Sequence, residues 1–149
     1  MAVELQKLTH ENFDECISLS VTEDQTGFVK SNLFSLARAQ IDNDVTPLAI
    51  YADGTMVGFL MYGVDDEDGR YWLLRLMIDQ YHQGKGYATQ ALKVLTERLR
   101  TQFSCPALYL SFSDDNERAR KLFPRLGWTR TGERVNDEAV YVLDLASED

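Results

Sequence analysis

Histidine, cysteine and proline are scarce in this chain, with two His, two Cys and three Pro among 149 residues. With only His10 and His82 available, a histidine-rich metal site cannot be assembled, and no metal is expected. Cys16 and Cys105 lie far apart, show no redox or ligand spacing and sit among apolar neighbours, which predicts two buried free thiols. Both histidines are expected at the surface. Cations are also in short supply: 15 Lys and Arg stand against 24 Asp and Glu, for a net charge of −9. That balance argues against nucleic acid as the main partner, because phosphate binding relies on a positive surface. It suits a cationic substrate drawn in by the protein's field. No apolar run approaches the length of a membrane span, and no basic-then-apolar signal segment opens the chain. No membrane partner and a cytoplasmic location are therefore expected.

What is present is enough for one domain, residues 1–149, with 44% hydrophobic residues to build its core. "VELQKL" (3–8) reads as a short strand. "HENFDECISLS" (10–20) places Phe13, Cys16, Ile17 and Ser20 on one helical face, with Thr9 as N-cap. "GFVKSNLFSLARAQID" (27–42) carries Val29, Leu33, Leu36, Ala37 and Ile41 at helical spacing, and Pro47 closes that region. "PLAIYA" and "TMVGFLMYGV" flank Asp53-Gly54, a strong hairpin signal, because both central residues accept positive φ. After the acidic loop "DDEDG", "RYWLLRLMID" completes an antiparallel meander.

Past Gly86 the period changes. Ala88, Ala91, Leu92, Leu95 and Leu99 form the stripe of an amphipathic helix, and "ALYLSF" (107–112) returns as a strand parallel to 71–79. "NERARKLFPRLGW" (116–128) reads as a short helix broken at Pro124 and Gly127, and "AVYVLDL" (139–145) as a closing strand. This order predicts an α/β (α+β) fold with a mixed sheet.

At the junction, "QGKGYA" (83–88) puts two glycines and Lys85 where a strand hands over to a helix. The first amides of a helix lack internal partners, and the macrodipole adds positive character there. Glycines let a ligand's phosphates approach the backbone. The same residues also suit a plain tight turn. A P-loop is excluded, because Gly84-Lys85 is followed by Gly86 rather than Ser or Thr. A dinucleotide fingerprint is excluded as well, since Thr89 stands where its third glycine belongs and several strands precede the motif.

"QGKGYA" resembles the Gln/Arg-x-x-Gly-x-Gly/Ala motif of the GNAT family of N-acetyltransferases, and "NERARKLFPRLGW" is similar to that family's Asn-x-x-Ala-x-x-Leu-Tyr-x-x-x-Gly-Phe segment. "VTEDQTGFVKSNLFSLARA", "VGFLMYG", "YWLLRLMIDQYHQGKGYA" and "GERVNDE" look like the bacterial spermine/spermidine acetyltransferases of the same family. The resemblance implies helices on both faces of a mixed sheet, with acetyl-CoA held where two parallel strands splay apart. Its pantetheine arm would pair with backbone around Leu76, Met77 and Ile78. Its pyrophosphate would lie on amides of Gly84, Lys85, Gly86, Tyr87, Ala88 and Thr89, with Gln83 beside it. Asn116 and Ala119 match positions along the arm, Lys121 would either reach toward the phosphates or lie on a solvated helix face, and Phe123 matches the position near the leaving sulfur. The Ile78 N–H would stabilise the thioester oxygen in the transition state.

Two departures touch the chemistry. Similar enzymes often carry an acidic residue where Leu74 stands, and a tyrosine acid where Phe123 stands, directly before Pro124. An alkylammonium, with a pKa of about 10.4, costs roughly 4–5 kcal/mol to deprotonate near pH 7, so a base or desolvation must supply the neutral amine. Glu23 and Asp24, in the segment expected to wall the acceptor site, are the candidate carboxylates, and the same residues equally suit a polar inter-helix loop. The expected function is acetyl transfer to a polyamine, with homodimerisation as a further implication. Another small amine, amino acid or peptide N-terminus, or a catalytically silent acyl-CoA-binding protein, are the alternatives.

Overall fold

In a computed structural model, which describes residues 2–28, 30–41 and 44–146, seven strands join in one sheet. They are β1 (Val3–Lys7), β2 (Val45–Ala52), β3 (Thr55–Val64), β4 (Tyr71–Ile78), β5 (Ala107–Phe112), β6 (Thr129–Val135) and β7 (Glu138–Asp144). The helices are α1 (Phe13–Ser18), α2 (Asn32–Ile41), α3 (Tyr87–Phe103) and α4 (Glu117–Arg125), with single 3-10 turns at Glu23–Gln25 and Gln80–His82. The sheet order is β1-β2-β3-β4-β5-β7-β6, antiparallel except where β4 meets β5. No described helix is long and apolar enough to cross a membrane.

The Asp53-Gly54 hairpin forms with φ of 51° and 86°, as the dipeptide dictates. Helix α3 buries Ala91, Leu92, Leu95 and Leu99, its sequence stripe, in a cluster with Leu60, Leu73, Leu108 and Leu110 from the sheet. A second cluster, under α1 and α2 on the other face, gathers Cys16, Leu36, Phe59, Met61 and Met77. Both cysteines are buried free thiols, and burial pushes the Cys16 thiol up to about 11.

The local structure departs from the sequence pattern in five places. Helix α1 begins only at Phe13: ahead of it the Asn12 side chain accepts the Thr9 N–H at 2.8 Å and the Thr9 hydroxyl accepts the Glu11 N–H at 3.2 Å, so Thr9 closes a turn rather than capping the helix. Helix α2 buries Asn32, Ser35 and Leu36, leaving the expected stripe residues Leu33 and Ile41 exposed; Val29 lies outside the described residues. The polar anchors decide that rotation: Asn32 Nδ2 donates to the Cys16 carbonyl at 2.8 Å, and Ser35 accepts from Arg75. Strand β2 starts before Pro47, which is tolerated because β1 pairs only from Leu48 onward, so the missing N–H costs no ladder bond on that side. Strand β6, exposed along nearly its whole length and interrupted at Gly132, has no counterpart among the strands expected from sequence.

The fifth difference concerns Pro124, at which α4 does not break. The helix runs through to Arg125 and ends in a Schellman motif. The Trp128 N–H donates to the Phe123 carbonyl at 3.0 Å, the Gly127 N–H to the Pro124 carbonyl at 3.1 Å, and the Trp128 ring meets Phe123 edge-on at 5.4 Å. Gly127 holds φ at 98°, and a Cβ there would make only an ordinary contact with Leu143, at 3.6 Å. Gly127→Ala is therefore expected to cost about 1–2 kcal/mol through backbone strain alone, read as a lower denaturant midpoint at unchanged slope.

Candidate active site

The parallel pairing of β4 with β5 is confined to Tyr71 against Leu108 and Trp72 against Tyr109. Beyond that point the strands part. On its other edge β4 slips by one residue against β3: Met61 faces Arg75 while Tyr62 faces Leu73, so Leu74 is an extra, bulged residue. A bulge bends a strand and shifts its side-chain phase. Tyr71 and Leu73 point into the main cluster before the bulge, and Leu76 and Ile78 do so after it.

The register also sets the amides. Asp79 N–H donates to the Val57 carbonyl at 2.8 Å, which puts residues 75, 77 and 79 in the rows that bond β3. Leu76 and Ile78 fall in the alternate rows, so their N–H and C=O groups turn toward the gap beside β5. Gly58, opposite Ile78, allows this close approach, since a Cβ there would run into the Met77 carbonyl.

At the end of β4, Gly84 and Gly86 hold φ of 80° and 81°, and Gly86 is the N-cap of α3 without a capping side chain. The first helical bond is Gln90 N–H to the Gly86 carbonyl at 3.1 Å, so the amides of Tyr87, Ala88 and Thr89 precede any internal partner. A Cβ on Gly84 would meet nothing within 4 Å, and one on Gly86 only the Gln90 amide at 4.0 Å. The space in front of these amides is open, and Lys85 beside them is exposed.

Gln83 does something different. Its Nε2 donates to the Ile78 carbonyl at 2.9 Å and to Gln25 Oε1 at 3.1 Å, while its Oε1 accepts from Gln25 Nε2 at 3.3 Å. Nearby, buried Asp79 accepts the Ser20 N–H at 2.9 Å and the Tyr81 N–H at 3.3 Å. These bonds pin the segment before α2 onto the end of β4.

A cavity of about 230 Å³ opens where β4 and β5 separate. Of the residues singled out from sequence, it brings together Leu76, Asn116, Ala119 and Phe123, along with Leu74. The Asn116 side chain also caps α4 by accepting the Ala119 N–H at 3.2 Å. Phe123 is buried between Phe112, stacked at 5.8 Å, and Trp128. The side chains of Met77 and Ile78 point into the two cores, and Lys121 is exposed and outside the lining.

Glu23 and Asp24 are not on the cavity wall. They form the exposed 3-10 turn, and Asp24 accepts from the Thr22 hydroxyl. The wall instead carries Glu138, whose Oε1 accepts from Ser111 Oγ at 2.8 Å, and Arg75, whose guanidinium donates to Ser35 Oγ at 3.2 Å and the Leu74 carbonyl at 2.6 Å. Burial, then the charge of Arg38, lowers the Arg75 pKa, and Glu138 opposes that shift. Neither residue was singled out from sequence: Arg75 is one cation in an apolar strand, and Glu138 is one of several acidic residues in and around "GERVNDE".

The arrangement can hold an extended chain in the gap, an anionic group at the head of α3, and a small acceptor against a carboxylate. Known proteins resemble the chain in sequence and in fold. Residues 5–128 match the model of the acetyltransferase (GNAT) family. The chain is 33% identical over 152 residues to the spermine/spermidine N(1)-acetyltransferase of Bacillus subtilis (strain 168), covering 97% of this chain and 100% of that protein. Among solved structures, an acetyltransferase from Thermus thermophilus superposes with a TM-score of 0.76 at 18% identity, covering 97% of each chain. The spermidine N-acetyltransferase from Vibrio cholerae, in complex with CoA and spermine, gives 0.75 at 16% identity, covering 97% of this chain and 96% of that one.

Proposed function

The chain belongs to the acetyltransferase (GNAT) family, and we propose that it transfers an acetyl group from acetyl-CoA to an amine of a polyamine such as spermine or spermidine. The observation that carries the reading is the splay of β4 from β5, which turns the amides of Leu76 and Ile78 into a gap leading to the open helix head at Gly86. The 33% identity to a spermine/spermidine N(1)-acetyltransferase supports the acceptor class, as does the net charge of −9.

In this reading the pantetheine arm pairs with the backbone of β4 at Leu76 and Ile78, and the Asn116–Phe123 stretch of α4 walls it. The pyrophosphate lies on the amides from Gly84 to Thr89, with Lys85 adding a full charge. Gln83 acts by fixing the loop to Ile78 and Gln25 rather than by touching phosphate, because its amide is already committed. The Ile78 N–H supports the thioester oxygen as it gains charge. The neutral amine attacks the carbonyl carbon directly, and the coenzyme leaves as thiolate. The reading includes a cytoplasmic setting and a homodimer, the latter supported by exposed Leu33, Phe34 and Ile41 on α2. Sedimentation showing a monomer at micromolar concentration would remove the dimer.

Thiol release from acetyl-CoA, measured with a panel of amines, tests the function. Release stimulated by spermine or spermidine is expected; tight acetyl-CoA binding with no release under any amine would make this a silent binding protein.

Phe123 bears on the last step. A thiol with pKa about 8.5 departing near pH 7 forgoes only roughly 2 kcal/mol of protonation. Phe123→Tyr is therefore expected to raise kcat by less than about tenfold, since deprotonating the amine costs more than releasing an unprotonated sulfur. A bigger gain in steady-state turnover would show that protonation of sulfur limits the enzyme.

A further inference from the structure

We infer that Glu138 is the carboxylate that receives the acceptor's ammonium group and takes its first proton, a role that rests on the amine-acetylating reading above. Among the described residues lining the cavity, Glu138 is the single acidic side chain. The need for one is plain. Leu74 is apolar, and Glu23 and Asp24 lie elsewhere, yet an ammonium must lose roughly 4–5 kcal/mol worth of protonation before it attacks.

Placement follows from strand register. Glu138 opens β7, in which Ala139 faces Phe112 and Val140 faces Ser111 on β5. Its side chain reaches back over β5, where Ser111 Oγ donates to Oε1 at 2.8 Å. The next β5 residue, Phe112, stacks on Phe123 at 5.8 Å. The carboxylate therefore shares a wall with the residue expected near the leaving sulfur. Ser111 holds one oxygen, and among the described residues no hydrogen bond occupies the other. Phe28, Trp72 and Leu74 line the same space, and such apolar walls strengthen attraction between opposite charges.

Glu138 shares the cavity with the cations Arg75 and Lys30, and it feels the charge of Arg75 without pairing to it. Across the cavity, Arg75 on β4 is committed to Ser35 and the Leu74 carbonyl, and no ion pair joins it to Glu138 among the described residues. Lys30, ahead of α2, packs its ammonium over the Phe34 ring at 5.2 Å. On β6, Arg134 pairs with Asp114 at 3.3 Å and donates to the Asp137 carbonyl.

One proton of the bound ammonium passes to the Glu138 carboxylate. The freed nitrogen lone pair forms the C–N bond at the thioester carbon. As the tetrahedral intermediate collapses, the C–S bond breaks with its electron pair on sulfur, and nitrogen loses a second proton. Sulfur takes one of the two protons and solvent takes the other, leaving amide and free thiol.

The test is Glu138→Gln in the full chain, with spermine as acceptor, followed between pH 7 and pH 9.5 alongside calorimetry of acetyl-CoA. At pH 7, kcat/KM is expected to fall about 100-fold, with acetyl-CoA affinity within about threefold of wild type. The deficit should shrink about tenfold or more by pH 9.5, as the free-amine fraction grows toward the ammonium pKa. Ser111→Ala, which keeps the carboxylate but frees it, should lose about three- to tenfold at pH 7 with an unchanged melting temperature. It decides the matter if Glu138→Gln does not fold. Glu138→Gln activity near wild type, a deficit constant across pH, or no loss in Ser111→Ala would each overturn the assignment. Wild type that releases no thiol with any amine would overturn the acetyltransfer reading itself, and this assignment with it.

Discussion

Gly86→Val is expected to weaken acetyl-CoA binding by about 100-fold or more, close to 3 kcal/mol. Two effects act together. Gly86 sits at φ 81°, a region a β-branched residue enters only under strain, so the loop would rearrange. The valine methyls would also stand in the open space before the unpartnered amides of Tyr87, Ala88 and Thr89, where phosphate must approach. Gly69→Val separates the two. Gly69 has φ 74° and nothing within 4 Å, but it lies in the acidic loop before β4, so it carries the same backbone strain with no ligand to block. Calorimetry on both folded variants is the measurement. Gly69→Val should lose stability and keep its affinity. Unchanged affinity in Gly86→Val would mean that the glycines serve only a turn.

The contrast between these glycines and the rest of the site shows what the sequence could carry. Helix α3, the Asp53-Gly54 hairpin and the glycine junction are local. Each is specified by a few neighbours, and each forms where its residues point. The bulge at Leu74 could not be read, because in "WLLRLM" apolar residues fill both phases with Arg75 the single exception. Only pairing with β3 reveals the extra residue. Strand β6 escaped because "TRTGERV" is exposed nearly throughout and shows no alternation. Helix α2 shows the opposite failure. Its apolar stripe was legible, but the buried bonds of Asn32 and Ser35 outweighed it and turned Leu33 and Ile41 to solvent. The wall of the cavity is assembled from β4, β5, α4, β7 and the segment before α2, so Glu138 and Arg75 meet only through tertiary pairing. A motif search finds the cofactor half of such a site and misses the acceptor half.

Spermine is expected to exceed a monoamine of similar length by about 100-fold in kcat/KM, and to lose most of that advantage in high salt. A monoamine presents one ammonium, which the cavity carboxylate can receive. Spermine presents several more, and each meets the field of a chain carrying −9 net charge. An ion pair near the surface contributes up to about 1 kcal/mol, so two or three additional pairs sum to roughly 2–3 kcal/mol. Some local acidity is already spent: Asp114 pairs with Arg134, and Glu133 with Arg70 at 3.0 Å. The advantage must therefore come from the remaining, more widely spaced carboxylates, whose attraction acts over distances that salt screens. The Debye length shrinks from about 30 Å at 0.01 M to about 10 Å at 0.1 M, so the spermine rate should fall steeply over that range while the monoamine rate barely moves. Thiol-release rates for both acceptors along a salt series make the comparison. Equal rates for the two, indifferent to salt, would remove the polycation from the reading and leave an acetyltransferase for a singly charged or neutral amine.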